Sequence, residues 1–347
     1  MAHAMQGVFL TAALVLACSA AAAQPNDNPT GAYPNTANFG VEVDRSEPWF
    51  QQCLRVQHIP APGASVKPAS CKSFDYYDKL AQVSTSRAEW DGVRACALAS
   101  NDFAVLAMLS ANGLGVPRDV DLAIQYACRA GGAKAEVTGR IAHLQSLQAT
   151  PAAKPYDQCD DITSGYMGAI CFGIAEHQAA KVRSAFITHL RRQLPAGQQV
   201  ALDQLANALQ AYSRARQGEV DMQGTGAPAA AAQAQAREQE WSREHLAAFE
   251  KGVFNLSPPQ ELAEDDAELN RLYGLVMAAA DTDHGRLPGS TVQKTDVRAA
   301  QRLWLAYRDA WIRFAALRYP TVPSAAIAGE LTTWRSGLLR KLLASAR

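Results

Sequence analysis

The apolar residues of this chain recur at helical spacing, and no stretch alternates with period two for long enough to make a strand. Toward the C-terminus, Leu269, Leu272, Val276 and Ala279 form one stripe. Val297, Ala300, Trp304, Tyr307, Trp311 and Phe314 form a second, and Ile327, Leu331, Trp334, Leu338 and Leu342 a third. Three amphipathic helices in so short a span predict one compact helical domain. Upstream, Met167, Ile170, Ile174, Val182, Phe186 and Leu190 share the spacing, behind Thr163 or Ser164 as a helix cap. Residues 86–147 also read as helices. The expected fold class is all-α.

The first residues bear on compartment. Gly7 to Ala23 is apolar or small and ends in Ala20-Ala21-Ala22-Ala23, which reads as a secretory signal peptide over 1–23, cut after Ala23. An alternative cut precedes Cys18, because Val15-Leu16-Ala17-Cys18 resembles a lipoprotein box; it would leave a lipid anchor on that cysteine. No stretch is long and apolar enough to be a transmembrane segment. The expected location is periplasmic or secreted.

Without Cys18, six cysteines remain: Cys53, Cys71, Cys96, Cys128, Cys159 and Cys171. An even number in an exported chain predicts three disulfides, and six cysteines allow fifteen connectivities. Cys53 and Cys71 flank a loop holding Pro60, Pro62, Gly63 and Pro68, so they are the natural staple there. Closing that loop would contribute about 3 kcal/mol in the chain-entropy model. There is no Cys-x-x-Cys, and no histidine sits at ligand spacing from a cysteine pair, so no metal and no cofactor are expected. Lys and Arg number 33, as do Asp and Glu. A neutral chain does not suggest nucleic acid as a partner, nor a strong field that steers a basic one.

Pro, Asn, Gly and Thr crowd residues 24–47, which reads as a disordered tether. Residues 48–148 follow as a helical segment. Within it lies Ala104-Val105-Leu106-Ala107-Met108-Leu109-Ser110-Ala111-Asn112-Gly113-Leu114-Gly115-Val116-Pro117-Arg118-Asp119, then Leu122-Ala123-Ile124-Gln125-Tyr126-Ala127-Cys128. Over about 104–137 this resembles one Sel1-like repeat, a relative of the tetratricopeptide helix pair. Gly113 and Gly115 suit its turn, and Pro117 and Asp119 suit the start of its second helix. A half-repeat precedes it around Trp90 to Cys96. Ala95-Cys96 and Ala127-Cys128 occupy similar places in successive helices, which favours a Cys96–Cys128 bridge.

The last segment carries Leu269, Asn270 and Tyr273, then Gln301, Trp304, Tyr307, Arg308 and Asp309, then Thr332 and Arg335. Over about 262–342 this resembles the small helical domain of the lysozyme inhibitor LprI-like family of secreted bacterial proteins. Residues 159–251 resemble a divergent copy, with Tyr212 and Arg214 or Arg216 loosely echoing Trp304 and Arg308. The expected organisation is therefore disulfide-stapled Sel1-like hairpins over 48–148, a divergent LprI-like domain over 156–252 and an LprI-like domain over 260–347. In the family a disulfide usually sits beside the Arg-Asp helix; here Trp311 stands at that place, so this copy relies on aromatic packing.

Arg308 is either an interface anchor or an internal partner for Asn270 or Glu268, and the internal reading is preferred. Glu261, Glu264, Asp265, Asp266 and Glu268 form an acidic run, read as favourable charge at a helix N-terminus. His177, His189 and His245 stand alone, and no serine sits in a nucleophile elbow. The resemblance implies a binding protein and not an enzyme: an exported module for a protein partner, a lysozyme or another envelope protein. A peptidoglycan-processing hydrolase and a structural envelope adaptor are the alternatives.

Overall fold

The computed structural model of the chain describes residues 33–62, 71–72, 74–149, 154–280 and 285–346. The expected signal peptide and Cys18 lie outside these residues. Within them the chain is all-α, with twelve α-helices and two short 3-10 turns. No strand forms among the described residues, only an isolated bridge between Arg286 and Gln293. No described helix is long and apolar enough to cross a membrane. The chain divides into two units, one ending at Asp161 and one beginning at Ile162.

The first unit holds α1 (Pro48–Val56), α2 (Asp75–Leu80), α3 (Arg87–Ala99), α4 (Phe103–Asn112), α5 (Val120–Ala130) and α6 (Lys134–Ala149). Three of its helix starts are capped by the residues that suit the role. Ser86 and Glu89 close a capping box on α3, and the Asp102 and Asp119 side chains accept from the third backbone N–H of α4 and α5. Between α4 and α5 the chain reverses through Gly113 and Gly115, both at positive φ. At Gly115 the need for glycine is double. An added Cβ would sit 2.4 Å from the Trp90 Cβ, so the turn also touches α3. Consecutive helices pack α3 on α4, α4 on α5 and α5 on α6, and α1 lies on α5 and α6.

That placement of α1 corrects the disulfide pairing. The bridges are Cys53–Cys128 and Cys71–Cys96, not Cys53–Cys71 and Cys96–Cys128. Gln125 of α5 is wholly buried, and its Nε2 donates to the carbonyls of Val56 and Ile59 at 3.2 and 2.6 Å. It thereby ties the end of α1 to α5. One turn along α5, Cys128 then faces Cys53, at a Cα separation of 5.9 Å. Cys71 is left to reach Cys96 on α3. Cys159 and Cys171 are disulfide-bonded as well. Residues 33–47, the described part of the expected tether, carry groups packed into this unit. Phe39 is buried on Trp49, and Asn35 N–H donates to the Cys128 carbonyl at 2.8 Å.

The second unit holds α7 (Gly165–Gln193), α8 (Ala196–Ala215), a 3-10 turn (Arg216–Glu219), α9 (Ala227–Phe249), a 3-10 turn (Pro259–Glu261), α10 (Leu262–Ala278), α11 (Lys294–Arg318) and α12 (Ser324–Ser345). Ser164 is the cap of α7. The packing runs twice: α9 rests on α7 and α8, and α12 rests on α10 and α11. The two middle helices, α8 and α11, pack on each other. The segments expected as separate domains, 156–252 and 260–347, contribute to one apolar core that runs from Leu190 to Leu342. Every residue of the Val297-to-Phe314 stripe is buried in it. Like residues of the two halves meet there. Tyr212 of α8 stacks on Tyr307 of α11 with ring centroids 5.5 Å apart, and Trp241 of α9 lies 5.6 Å from Trp334 of α12. Trp311 packs edge-on against Phe249 and donates its indole N–H to the Tyr307 hydroxyl at 2.8 Å.

Candidate functional site

Where the two halves of the second unit meet, four charged side chains are buried together: Arg216, Glu219, Glu238 and Arg335. Arg335 lies on the apolar stripe of α12, a turn from Leu331 and a turn from Leu339, and its side chain is 0 % exposed. Such a charge needs full pairing, because removing it from water is expensive. The pairing is present. The Arg335 guanidinium donates to both Glu219 oxygens at 2.6 and 2.8 Å and to Gln301 Oε1 at 2.9 Å. Arg216 donates to Glu219 and, at 3.1 Å, to Glu238. Trp334 closes the lattice with an indole N–H to Glu238 at 2.9 Å.

The two carboxylates differ in consequence. Burial would raise the Glu219 carboxyl, but Arg335 and then Arg216 outweigh it and hold it below its ordinary value. Burial pushes Glu238 up, and Arg216 only partly offsets it. Two cations and two carboxylates thus balance in a site closed to solvent. Carboxylates so placed can hold helices in register; they cannot reach a substrate.

Of the other polar residues of the family pattern, Tyr307, Arg308 and Thr332 are turned inward. Arg308 lies over the Trp304 ring at 4.9 Å and donates to Asp266 at 2.7 Å and Thr332 at 3.2 Å. Its partners are these, not Asn270 or Glu268 as the sequence suggested. Tyr307 and Thr332 are buried, Leu269 is core, and Tyr273 is half-buried. Asn270 and Asp309 are the exposed members of the set. Two carboxylates of the acidic run, Asp266 and Glu268, are paired in place. Asp266 pairs with Arg308, and Glu268 pairs with Arg271 and Arg340 at 2.7 and 3.1 Å, which hold its carboxyl down at about 2.

Groups that face solvent beside this lattice lie at the end of α9 and in the loop after it. Phe254 packs edge-on against Phe249 at 4.9 Å, yet 39 % of it stays exposed, and Val253 is 45 % exposed. Val253 lines a shallow depression of about 180 Å³ together with Glu244, His245, Ala248, Phe249 and Asn255, and Phe254 reaches it only through its contact with Phe249. His245 forms one wall. Its ring stacks on Trp241 at 3.7 Å, its Nδ1 meets the Trp241 carbonyl at 2.8 Å, and its Nε2 lies 3.8 Å from Glu330. Part-exposed Val253 and Phe254 thus stand beside the His245 ring and the Glu244 and Glu330 carboxylates at this end of α9. The sequence placed residues 253–259 in a linker and missed this face. Among the described residues, no group of three His, Cys, Asp or Glu converges as metal ligands.

The class defined by these features is a disulfide-bonded helical protein whose buried charges are paired inside its second unit. Residues 259–337 match the model of the family described as lysozyme inhibitor LprI. The match covers α10, α11 and most of α12, and it ends just past Arg335. No curated protein and no solved structure matches the chain.

Proposed function

We propose that the chain is an exported protein-binding protein whose second unit acts as a lysozyme inhibitor-like module. The family match over 259–337 carries this reading. The inward placement of Tyr307, Arg308, Thr332 and Arg335 supports it, since those motif residues are locked in the scaffold and leave recognition to other groups. The recognising face is Val253, Phe254, His245 and the carboxylates of Glu244 and Glu330, and its partner is a lysozyme or another envelope protein. The repeated packing of α7–α9 and α10–α12 supports a duplicated LprI-like unit, whose two halves meet through Tyr212 on Tyr307 and Trp241 beside Trp334. The first unit is a Sel1-like helical segment. Disulfide-bonded cysteines fit an oxidising compartment. The signal peptide ending at Ala23, with the lipid anchor at Cys18 as its alternative, gives a periplasmic or secreted protein.

Lysozyme activity measured against increasing protein, with the parent and a Phe254→Asp variant, tests the proposal. Inhibition near stoichiometric concentration, lost in the variant while its melting is unchanged, is the expected result. No inhibition at large molar excess removes lysozyme as the partner. Hydrolysis of peptidoglycan by the pure protein would overturn the binding reading altogether.

A further inference from the structure

Residues 154–161 follow α6 without helix or strand, and the first unit handles them as a receptor handles a peptide. Asn112, at the end of α4, grips the main chain of one residue from both sides. Its Oδ1 accepts from the Tyr156 N–H at 2.8 Å, and its Nδ2 donates to the Tyr156 carbonyl at 2.8 Å. An amide side chain has a donor and an acceptor side by side, so it can satisfy both main-chain groups of one residue. The same Nδ2 reaches the Tyr76 hydroxyl at 3.3 Å, which fixes its orientation.

The side chains of the segment are read next. The Tyr156 ring is 2 % exposed and meets His143 of α6 edge-on at 5.2 Å. Tyr77 of α2 donates its hydroxyl to Asp157 at 3.2 Å and accepts from Gln158 at 3.2 Å. His143 Nδ1 lies 3.0 Å from Asp161. Three helices, α2, α4 and α6, therefore converge on one aromatic anchor and two carboxylates. A buried aromatic anchor with a main-chain grip, followed by a turn closed by the Asp160 N–H to the Asp157 carbonyl at 3.1 Å, is the composition of a peptide-recognition site.

The fit is incomplete at one atom. The Tyr156 hydroxyl is buried with no hydrogen-bond partner among the described residues. A buried unpaired hydroxyl weakens the complex that holds it. The pocket therefore suits an unsubstituted phenyl ring better than the ring it contains.

We propose that Asn112, Tyr77 and His143 form a binding site for a peptide in which an aromatic residue is followed by a carboxylate-bearing turn, which the chain's own Tyr156–Asp161 occupies as a tethered stand-in. A partner segment of that chemistry displaces it. This surface is separate from the face assigned to the second unit, and the proposal does not rest on that assignment.

The probe is a labelled peptide of the 154–161 sequence with phenylalanine at the Tyr156 position and serine at the Cys159 position. It is titrated into the full chain carrying Tyr156→Ala. Saturable binding is expected, at least tenfold tighter than to the unchanged chain, where the tethered copy competes. The phenylalanine peptide should bind about tenfold tighter than its tyrosine counterpart. Adding Asn112→Ala should abolish binding. A peptide that fails to bind a Tyr156→Ala chain that still melts cooperatively overturns the proposal. If Tyr156→Ala does not fold, amide exchange in the unchanged chain decides. Exchange of the Tyr156 amide through an opening that leaves α4 and α5 protected supports an exchangeable occupant. Exchange only together with those helices makes the segment part of the core and sinks the proposal.

Discussion

Arg335→Met cuts the lattice at its centre. It deletes two charge-assisted bonds to Glu219 and one to Gln301, in a place where neither charged partner touches water. The balance of two cations and two carboxylates becomes one and two. Glu219 keeps Arg216, but Glu238 must then share that same guanidinium. Breaking one member of a buried pair in this way costs about 3–5 kcal/mol, because an uncompensated charge stays inside. Glu219→Leu should cost a similar amount, as it strands Arg335. The double variant differs in kind. It removes the pair together, leaves Arg216 with Glu238 in balance, and fills the space with apolar atoms. It should therefore lose less than either single variant. Urea unfolding followed by tryptophan fluorescence measures this, since Trp241, Trp304, Trp311 and Trp334 all belong to the second unit and only Trp49 and Trp90 to the first. Additive losses in the double variant, or an Arg335→Met transition at the parental midpoint, would refute the reasoning. Either result would mean that the four charges do not act as one unit.

The disulfides give an ordered prediction. Replacing Cys53 and Cys128 by serine opens a loop of 75 residues and should cost about 4.5 kcal/mol in the chain-entropy model, against about 3.5 kcal/mol for Cys71 and Cys96; equal midpoints in urea, or a reversed order, would exclude the pairing seen here. Acid should weaken the second unit. Glu219, Glu250 and Glu268 all have folded-state values below the ordinary carboxylate value, Glu219 because its arginines overcome burial, Glu250 through Arg318, and Glu268, at about 2, through Arg271. Groups with depressed values add stability above the unfolded value and lose it as pH falls through the folded one. The melting temperature should thus drop from about pH 4.5 toward pH 2, and Glu268→Gln should flatten the lowest part of that curve; a melting temperature unchanged down to pH 2 would contradict the assigned ion pairs.

The helices were legible because a buried face imposes its period on the sequence wherever the helix is long. Trp304, Tyr307, Trp311 and Phe314 announce α11 from spacing alone, and Asp119 and Ser164 mark their helix starts through local chemistry. Connections across the fold were not legible in that way. Cys53 pairs with Cys128 because α1 lies along α5, and nothing within the sequence between Cys53 and Cys71 encodes that. Arg308 was expected to bond inside the bundle and does so, but its partner Asp266 is set by the facing of α10 and α11. A usable signal for the lattice was present. Glu238 falls on the apolar stripe of α9 between Ala234 and Trp241, and Arg335 falls on that of α12 between Leu331 and Leu339. A charge at a stripe position must find an opposite charge inside, and two such charges of opposite sign in successive helical sets are candidates for one buried network.

This logic also explains why the family pattern survives in a segment that lacks the cysteine expected beside the Arg-Asp helix. With Trp311 in that place, α11 is held instead by aromatic contacts with Phe249 and Tyr307 and by the Arg335 lattice. The lattice draws Glu219 and Glu238 from outside the matched residues 259–337, so the matched segment does not close its own charges. Taken alone, that segment would leave Arg335 without Glu219 and Trp334 without Glu238. The second unit is therefore expected to fold as a whole, with α8, α9 and the 3-10 turn after α8 supplying the acidic half of a network whose basic centre lies in α12.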